Sequence, residues 1–181
     1  VMEDVCCREF AEYWRTERGL SGFRVEESGL IITPDNAWFG TSPDGLVYDG
    51  DRLVALLEIK TPYTRKDMAR EDVHDEAFYA WNDVPSAGGG GPNPARLPVP
   101  PYYYAQVQGN MWQLGLQLCF FVVWTPVAMQ IVRLRFDRRW WETQLYPSLR
   151  EFYFDHYLPA AVQHARGLLP PGCTEPPDDD D

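Results

Sequence analysis

Residues 39–62 read FGTSPDGLVYDGDRLVALLEIKTP, and the fold turns on how this stretch is parsed. Leu53 to Ile59 is an apolar run with no turn former, which suits a strand covered on both faces in the middle of a sheet. It closes with two ionisable residues, Glu58 and Lys60. Successive strand side chains point to opposite faces, so Glu58 and Lys60 share one face and Ile59 takes the other. A carboxylate and an ammonium at the end of an apolar strand are costly to bury unpaired, so they need each other, a metal or a substrate. Upstream, Leu46-Val47-Tyr48 makes a second short run, and Asp49-Gly50-Asp51 between the two carries an Asp-Gly hairpin signal. Closing that hairpin brings Asp44 back towards Glu58.

Two carboxylates and a lysine then meet at one end of a sheet. Such hard oxygen ligands suit Mg²⁺ or Mn²⁺, because Mg²⁺ takes one or two carboxylates, keeps waters and uses substrate phosphates for the rest. A lysine beside the metal can orient or deprotonate an attacking water, or stabilise charge building on a phosphate. Taken alone, Glu-x-Lys is more often an ordinary ion pair. The Pro43-Asp44-Gly45 segment and a later helix with amide side chains argue for the site.

That helix is expected over Tyr102 to Leu118, with Val107, Met111, Leu114 and Leu118 on the buried stripe. Gln106, Asn110, Gln113 and Gln117 form a polar stripe beside it, and Gln106 leads the row. Gln113 and Gln117 are expected to face solvent. Tyr103, with Tyr102 and Tyr104, can stack on bases or sugars, although packing against the sheet is the simpler reading. Arg65, Lys66 and Arg70 are the basic cluster nearest the motif, suited to a phosphate backbone or only to a solvated face.

Elsewhere, Met2, Cys6, Phe10 and Tyr13 recur at helical spacing, and Gly19 closes the pattern. Glu3 lies on the first turn of that helix. Phe23–Glu27 and Leu30–Thr33 read as short strands of an antiparallel meander feeding the central strand. A turn over Thr33-Pro34-Asp35-Asn36 follows. Asp72 to Trp81 reads as a short helix. Residues 82–101 are dense in Gly and Pro without periodicity and read as an inserted loop. Cys119–Thr125 is a second fully apolar strand, and Gln130–Phe136 returns from it, with Arg133 and Arg135 on the exposed face of an edge strand. Asp137 is placed to cap a helix from Arg138 that Pro147 and Pro159 interrupt. The aromatic residues there, among them Trp141, Phe152, Phe154 and Tyr157, read as packing.

At 181 residues, with 45% hydrophobic and 14% aromatic residues, the chain suits one domain with a full core, here residues 1–169. Residues 170–181 form an acidic tail of disordered composition. No apolar run approaches the ~20 residues that span a bilayer, and no secretory signal is read, so a soluble intracellular protein, cytoplasmic or nuclear, is expected. Cys6, Cys7, Cys119 and Cys173 show no zinc spacing and read as inert thiols. The net charge of −11 argues against a nucleic-acid partner. Metal ions in a carboxylate cluster would nevertheless reverse the sign of the site locally.

Ser42-Pro43-Asp44-Gly45, then Glu58-x-Lys60, then Ala105-Gln106-Val107-Gln108 resembles the PD-(D/E)xK nuclease superfamily. More narrowly it is similar to the lambda-type phage exonucleases and YqaJ-like viral recombinases, over about Glu3 to Pro147. The resemblance implies an α/β, restriction-endonuclease-like core with a central mixed sheet flanked by helices. It also implies two divalent metals on Asp44 and Glu58, with the Ile59 carbonyl as a further ligand. Lys60 would serve the nucleophilic water, Gln106 would complete the site, and Glu3 falls where the family has a glutamate in its first core helix. The function implied is a 5′-to-3′ exonuclease on linear double-stranded DNA with free ends, serving recombination or replication and virus-encoded in related systems. A homo-oligomer and a single-strand annealing partner follow from the same resemblance alone. A restriction-like endonuclease on this core, or a nucleic-acid-binding module that has lost turnover, are the alternatives.

Overall fold

Helix α1 spans Met2–Thr16, because Cys6, Phe10, Ala11 and Trp14 recur on one face and are buried there. Trp14 takes the core place that the spacing had given to Tyr13, and Met2 is 49% exposed. This computed structural model describes residues 2–61, 99–126 and 128–167, so the expected helix at 72–81, most of the 82–101 segment and the tail lie outside the described residues. The chain divides into two compact units, Val1–Trp140 and Trp141–Asp181.

In the first unit, β1 (Phe23–Glu27) follows α1, and β2 (Ile31–Ile32) and β3 (Gly40–Thr41) come next, with a 3₁₀ turn at Pro34–Asn36 between them. Then come β4 (Gly45–Asp49), β5 (Arg52–Lys60), helix α2 (Pro101–Leu114), β6 (Leu118–Thr125) and β7 (Ala128–Arg135). A five-stranded sheet runs β1-β4-β5-β6-β7. All neighbours are antiparallel except β5 and β6, which are parallel, so the sheet is mixed. The expected meander is corrected in one respect. β1 pairs with β4, and β2 pairs with β3 in a separate two-stranded sheet.

The hairpin between β4 and β5 closes on Asp49 and Arg52, with Gly50 at φ 59° supplying the left-handed turn residue. β7 lies at the sheet edge, as expected, and the Arg133 guanidinium sits 5.1 Å from the centre of the Trp14 ring. Among the described residues no helix is long and apolar enough to cross a membrane.

Period-two alternation on β5 and β6 divides the core into two layers. Ala55, Leu57 and Ile59 of β5 join Phe120, Val122 and Trp124 of β6 under Cys6, Phe10 and Trp14 of α1. Leu56, Cys119, Phe121 and Val123 face the other way, under Tyr104, Val107 and Met111 of α2. Phe10 anchors the first layer, with ring centres 5.3 Å from Phe120 and 5.8 Å from Phe23. Across that layer, Trp124 Nε1 donates to Glu9 of α1 at 2.7 Å. Helix α2 ends at Leu114, where Gly115 at φ 65° closes it, so Leu118 opens β6 and does not continue the helical stripe. Pro101 begins the helix, where its missing N–H is harmless, and so is not part of a loop. Asp137 caps the short helix α3 (Arg138–Trp140), its Oδ1 accepting the Trp140 N–H at 2.9 Å.

The second unit is helical from Trp141 to Ala165. A π-helical stretch, Trp141–Leu145, precedes α4 (Tyr146–Glu151), and another, Phe152–Tyr157, precedes α5 (Leu158–Ala165). Pro147 and Pro159 stand in the first turns of α4 and α5. A wider turn just before each proline relieves the clash of its ring with the preceding carbonyls. Trp141 is buried, whereas Phe152, Phe154 and Tyr157 are 60%, 39% and 53% exposed and pack against one another and Tyr153 at the surface rather than in a core.

Gly45 marks the tightest point beside the motif. A β-carbon there would stand 2.6 Å from Val25 Cγ1 on β1 and 3.5 Å from Leu57 Cβ on β5. Gly45→Ala is therefore expected to cost about 1–3 kcal/mol through overpacking, read as a lower midpoint in urea unfolding. A wild-type midpoint would show that β1 and β5 yield freely.

Candidate active site

Glu58 and Lys60 lie on the α2-facing side of β5, the side of Leu56, at the strand's C-terminal end. The antiparallel register sets Gly45 opposite Leu57, which delivers Asp44 to the end of the same strand. Asp44 Oδ2 accepts the Ile59 N–H at 2.6 Å, so Ile59 contributes its backbone here while its side chain sits in the α1-facing core. From the other direction α2 supplies Gln106, whose Nε2 donates to Glu58 Oε1 at 2.8 Å. Lys60 Nζ donates to the same oxygen at 2.5 Å.

Glu58 is 1% exposed. Burial, and then the negative charge of Asp44, raise its carboxyl above the ordinary value of 4.5, while Lys60 and Gln106 pull in the opposite direction without prevailing. Its two oxygens are unequal. Oε1 takes both donors, and Oε2 is buried with no hydrogen-bond partner among the described residues. A buried carboxylate oxygen left without a donor beside a second carboxylate is the environment that a bound cation satisfies.

The donor set fits a hard divalent ion of the Mg²⁺ type, which needs only one or two protein carboxylates. Among the described residues no three Asp, Glu, His or Cys side chains gather as a metal cage, so any such ion would keep water or substrate oxygens. Lys60 also stands 4.7 Å from the centre of the Tyr103 ring, which rests in turn on Phe121 at 5.5 Å. Tyr103 thus supports the lysine from below, and its sibling Tyr102 is the exposed one, at 65%.

Among the residues expected in the site, Asp44, Glu58, Ile59, Lys60, Gln106 and Tyr103 come together. Glu3 stands exposed on the first turn of α1. Its carboxylate and that of Asp44 both act on the Cys7 thiol, which burial first, and then these acids, push up to about 11. Burial raises Cys6 and Cys119 as well, and all three are unpaired thiols, inert at neutral pH as expected. Arg65, Lys66 and Arg70 lie outside the described residues.

The amides of α2 correct the sequence reading. Gln113 is 5% exposed, not solvated, and its Nε2 donates to the Phe39 carbonyl at 2.7 Å. Asn110 is buried and its Oδ1 accepts the Thr41 hydroxyl. Gln108, which the spacing had not singled out, is fully buried. Its Nε2 donates to the Arg135 carbonyl at 2.9 Å and its Oε1 accepts the Asp137 N–H at 2.7 Å. The available signal was a helix with amides on more than one face and no charged residue from Pro101 to Leu114. Gln117 is exposed, as expected.

A mixed sheet with helices over both faces, and acids at the end of its central strand, defines a restriction-endonuclease-like α/β fold. Residues 1–117 match the model of the YqaJ-like viral recombinase domain, and the chain belongs to that family. Among solved structures it is similar to an alkaline exonuclease, LHK-Exo, from Laribacter hongkongensis. The two are 25% identical with a TM-score of 0.52, covering 91% of this chain and 73% of that one. The complex of LHK-Exo with dAMP matches with the same identity and TM-score, covering 91% of this chain and 72% of that one. No curated protein sequence matches.

A carboxyl that holds its proton more tightly when folded adds stability below its unfolded value and loses it as pH rises through the folded value. Glu58 is such a group, so in chelator-treated protein its contribution fades as pH rises from 4.5 upward. Glu58→Gln cannot ionise. Its melting temperature relative to wild type should therefore climb over that range in scanning fluorimetry, and parallel curves would show that the buried charge is fully compensated within the chain.

Proposed function

We propose that this chain is a divalent-metal-dependent deoxyribonuclease, acting as a 5′-to-3′ exonuclease on linear double-stranded DNA. The observation that carries the reading is the half-satisfied Glu58 carboxylate beside Asp44, with Oε2 buried and unpartnered. Membership of the YqaJ-like family and similarity to an alkaline exonuclease support it. So does the ligand of that neighbour, because dAMP is a deoxynucleoside monophosphate, the form in which an exonuclease releases its product.

Asp44 and Glu58, with the Ile59 carbonyl, would hold Mg²⁺ or Mn²⁺. One or two such ions bound there would supply a nucleophile at neutral pH and neutralise charge on the scissile phosphate. The remaining work falls to the chain. Gln106 and Lys60 both bind Oε1 of Glu58, which fixes the carboxylate plane and reserves Oε2 for a cation. Asp44 is held against the Ile59 N–H. Lys60 keeps its ammonium between Glu58 and the Tyr103 face, where its remaining N–H groups can orient water or meet a phosphate oxygen. Glu3 is proposed as an outer contributor from α1, and Arg65, Lys66 and Arg70 as contacts to the phosphate backbone.

Removing divalent ions with EDTA should abolish cleavage, and Mg²⁺ or Mn²⁺ should restore it. Lys60→Ala is expected to lower turnover by ~10²-fold or more while the melting temperature and duplex binding stay near wild type. Full magnesium-dependent activity in that variant would remove Lys60 from the mechanism. A 5′-phosphorylated linear duplex should be degraded to mononucleotides and a covalently closed circle left intact. A cut circle would establish the endonuclease alternative, and binding without cleavage of either would establish a silent module.

A further inference from the structure

Helix α2 does more than present Gln106. Gln106, Asn110 and Gln113 fall at i, i+4 and i+7, one face of the helix, and each reaches a different part of the β3–β5 region. Gln106 binds Glu58 at 2.8 Å, Asn110 accepts from Thr41, and Gln113 binds the Phe39 carbonyl at 2.7 Å. Thr41 and Asn110 are 3% and 6% exposed, so their hydrogen bond is shielded from competing water.

From Thr41 the chain has little slack before Asp44. Pro43 fixes its own φ and is fully buried, and Gly45 is wedged between Val25 and Leu57. The far end of the segment is pinned by the Ile59 N–H on Asp44 at 2.6 Å. We infer that Asn110, acting through Thr41, is a positioning residue for Asp44, so that one face of α2 sets the spacing of both acids of the site. This rests on the reading of Asp44 as a cation ligand. It adds that the ligand's position is dictated from a helix more than sixty residues further along the chain, through the Thr41–Asn110 pair with its separation of 69.

Thr41→Val keeps shape and removes the hydroxyl, Thr41→Ser restores it, and Asn110→Leu removes the acceptor. Gln108→Met is the control, because Gln108 is equally buried on α2 but ties the helix to Arg135 and Asp137. The readout is hydrogen exchange of the Ile59 amide by NMR in cation-free protein without DNA, since that N–H reports where Asp44 stands. Thr41→Val and Asn110→Leu should speed its exchange about tenfold, the scale of one lost hydrogen bond. Thr41→Ser and Gln108→Met should leave it unchanged. In cleavage assays the Mg²⁺ concentration for half-maximal rate should rise about tenfold in Thr41→Val and Asn110→Leu, and not in Thr41→Ser or Gln108→Met.

Unchanged Ile59 exchange in Thr41→Val, or an equal acceleration in Gln108→Met, overturns the inference. Should Asn110→Leu not fold, Thr41→Val decides alone. Wild-type protein that never cleaves DNA overturns the nuclease reading instead, and the exchange rates still decide this one.

Discussion

A carboxylate inside a protein must be compensated or it favours the open chain, and Glu58 is buried at the end of the central strand with only half its acceptor capacity used. Much of the surrounding structure can be derived from that constraint. Lys60 returns from two residues on along the same face, Gln106 descends from α2, and Tyr103 holds the lysine in place. None of these fully offsets burial and the neighbouring Asp44, which is why the carboxyl remains raised. The fold keeps a destabilising arrangement at its centre, one that the proposed cation would relieve.

The sheet makes this tolerable. β5 has an antiparallel neighbour in β4 as far as Leu57 and a parallel one in β6 as far as Lys60, and past the end of β4 the Asp44 carboxylate takes the Ile59 N–H. The α1 side of the strand is dry and aromatic, with Phe10, Trp14, Phe23 and Phe120 in mutual contact. On the α2 side the packing changes from apolar at Leu56 to polar at Glu58, and α2 changes with it, from Val107 and Met111 to its amides. Amides suit this boundary because they hydrogen-bond without adding a charge to one already difficult to hold.

The parts of this arrangement governed by local periodicity could be read from the sequence. β1 appears at Phe23–Glu27 as expected, β5 differs from its apolar run by a residue at each end, and Asp137 caps the helix that follows it. Asp44, Glu58, Lys60 and Gln106 were legible because a hairpin register and one helical face suffice to bring them together. What failed depended on partners distant in sequence. The burial of Gln113 requires the Phe39 carbonyl, 74 residues away, and nothing near Gln113 announces it. Leu118 continues the apolar spacing of α2 but belongs to β6, because Gly115 ends the helix first. Ile31 and Ile32 read as part of the meander, yet their partner is the short strand at Gly40–Thr41. Phe152 and Tyr157 show the limit of inferring burial from residue type alone.

The parallel joint between β5 and β6 also orders events during synthesis. Asp44, and then β5 with Glu58 and Lys60, leave the ribosome before α2 and β6, while the face of β5 that α2 later covers has nothing yet to lie against. Their amide supports arrive only once α2 has been translated, and the flanking strand β6 later still. A nascent chain therefore carries these acids for a time without the α2 side chains that hold them. Assembly of this cluster is deferred by topology until most of the polypeptide exists.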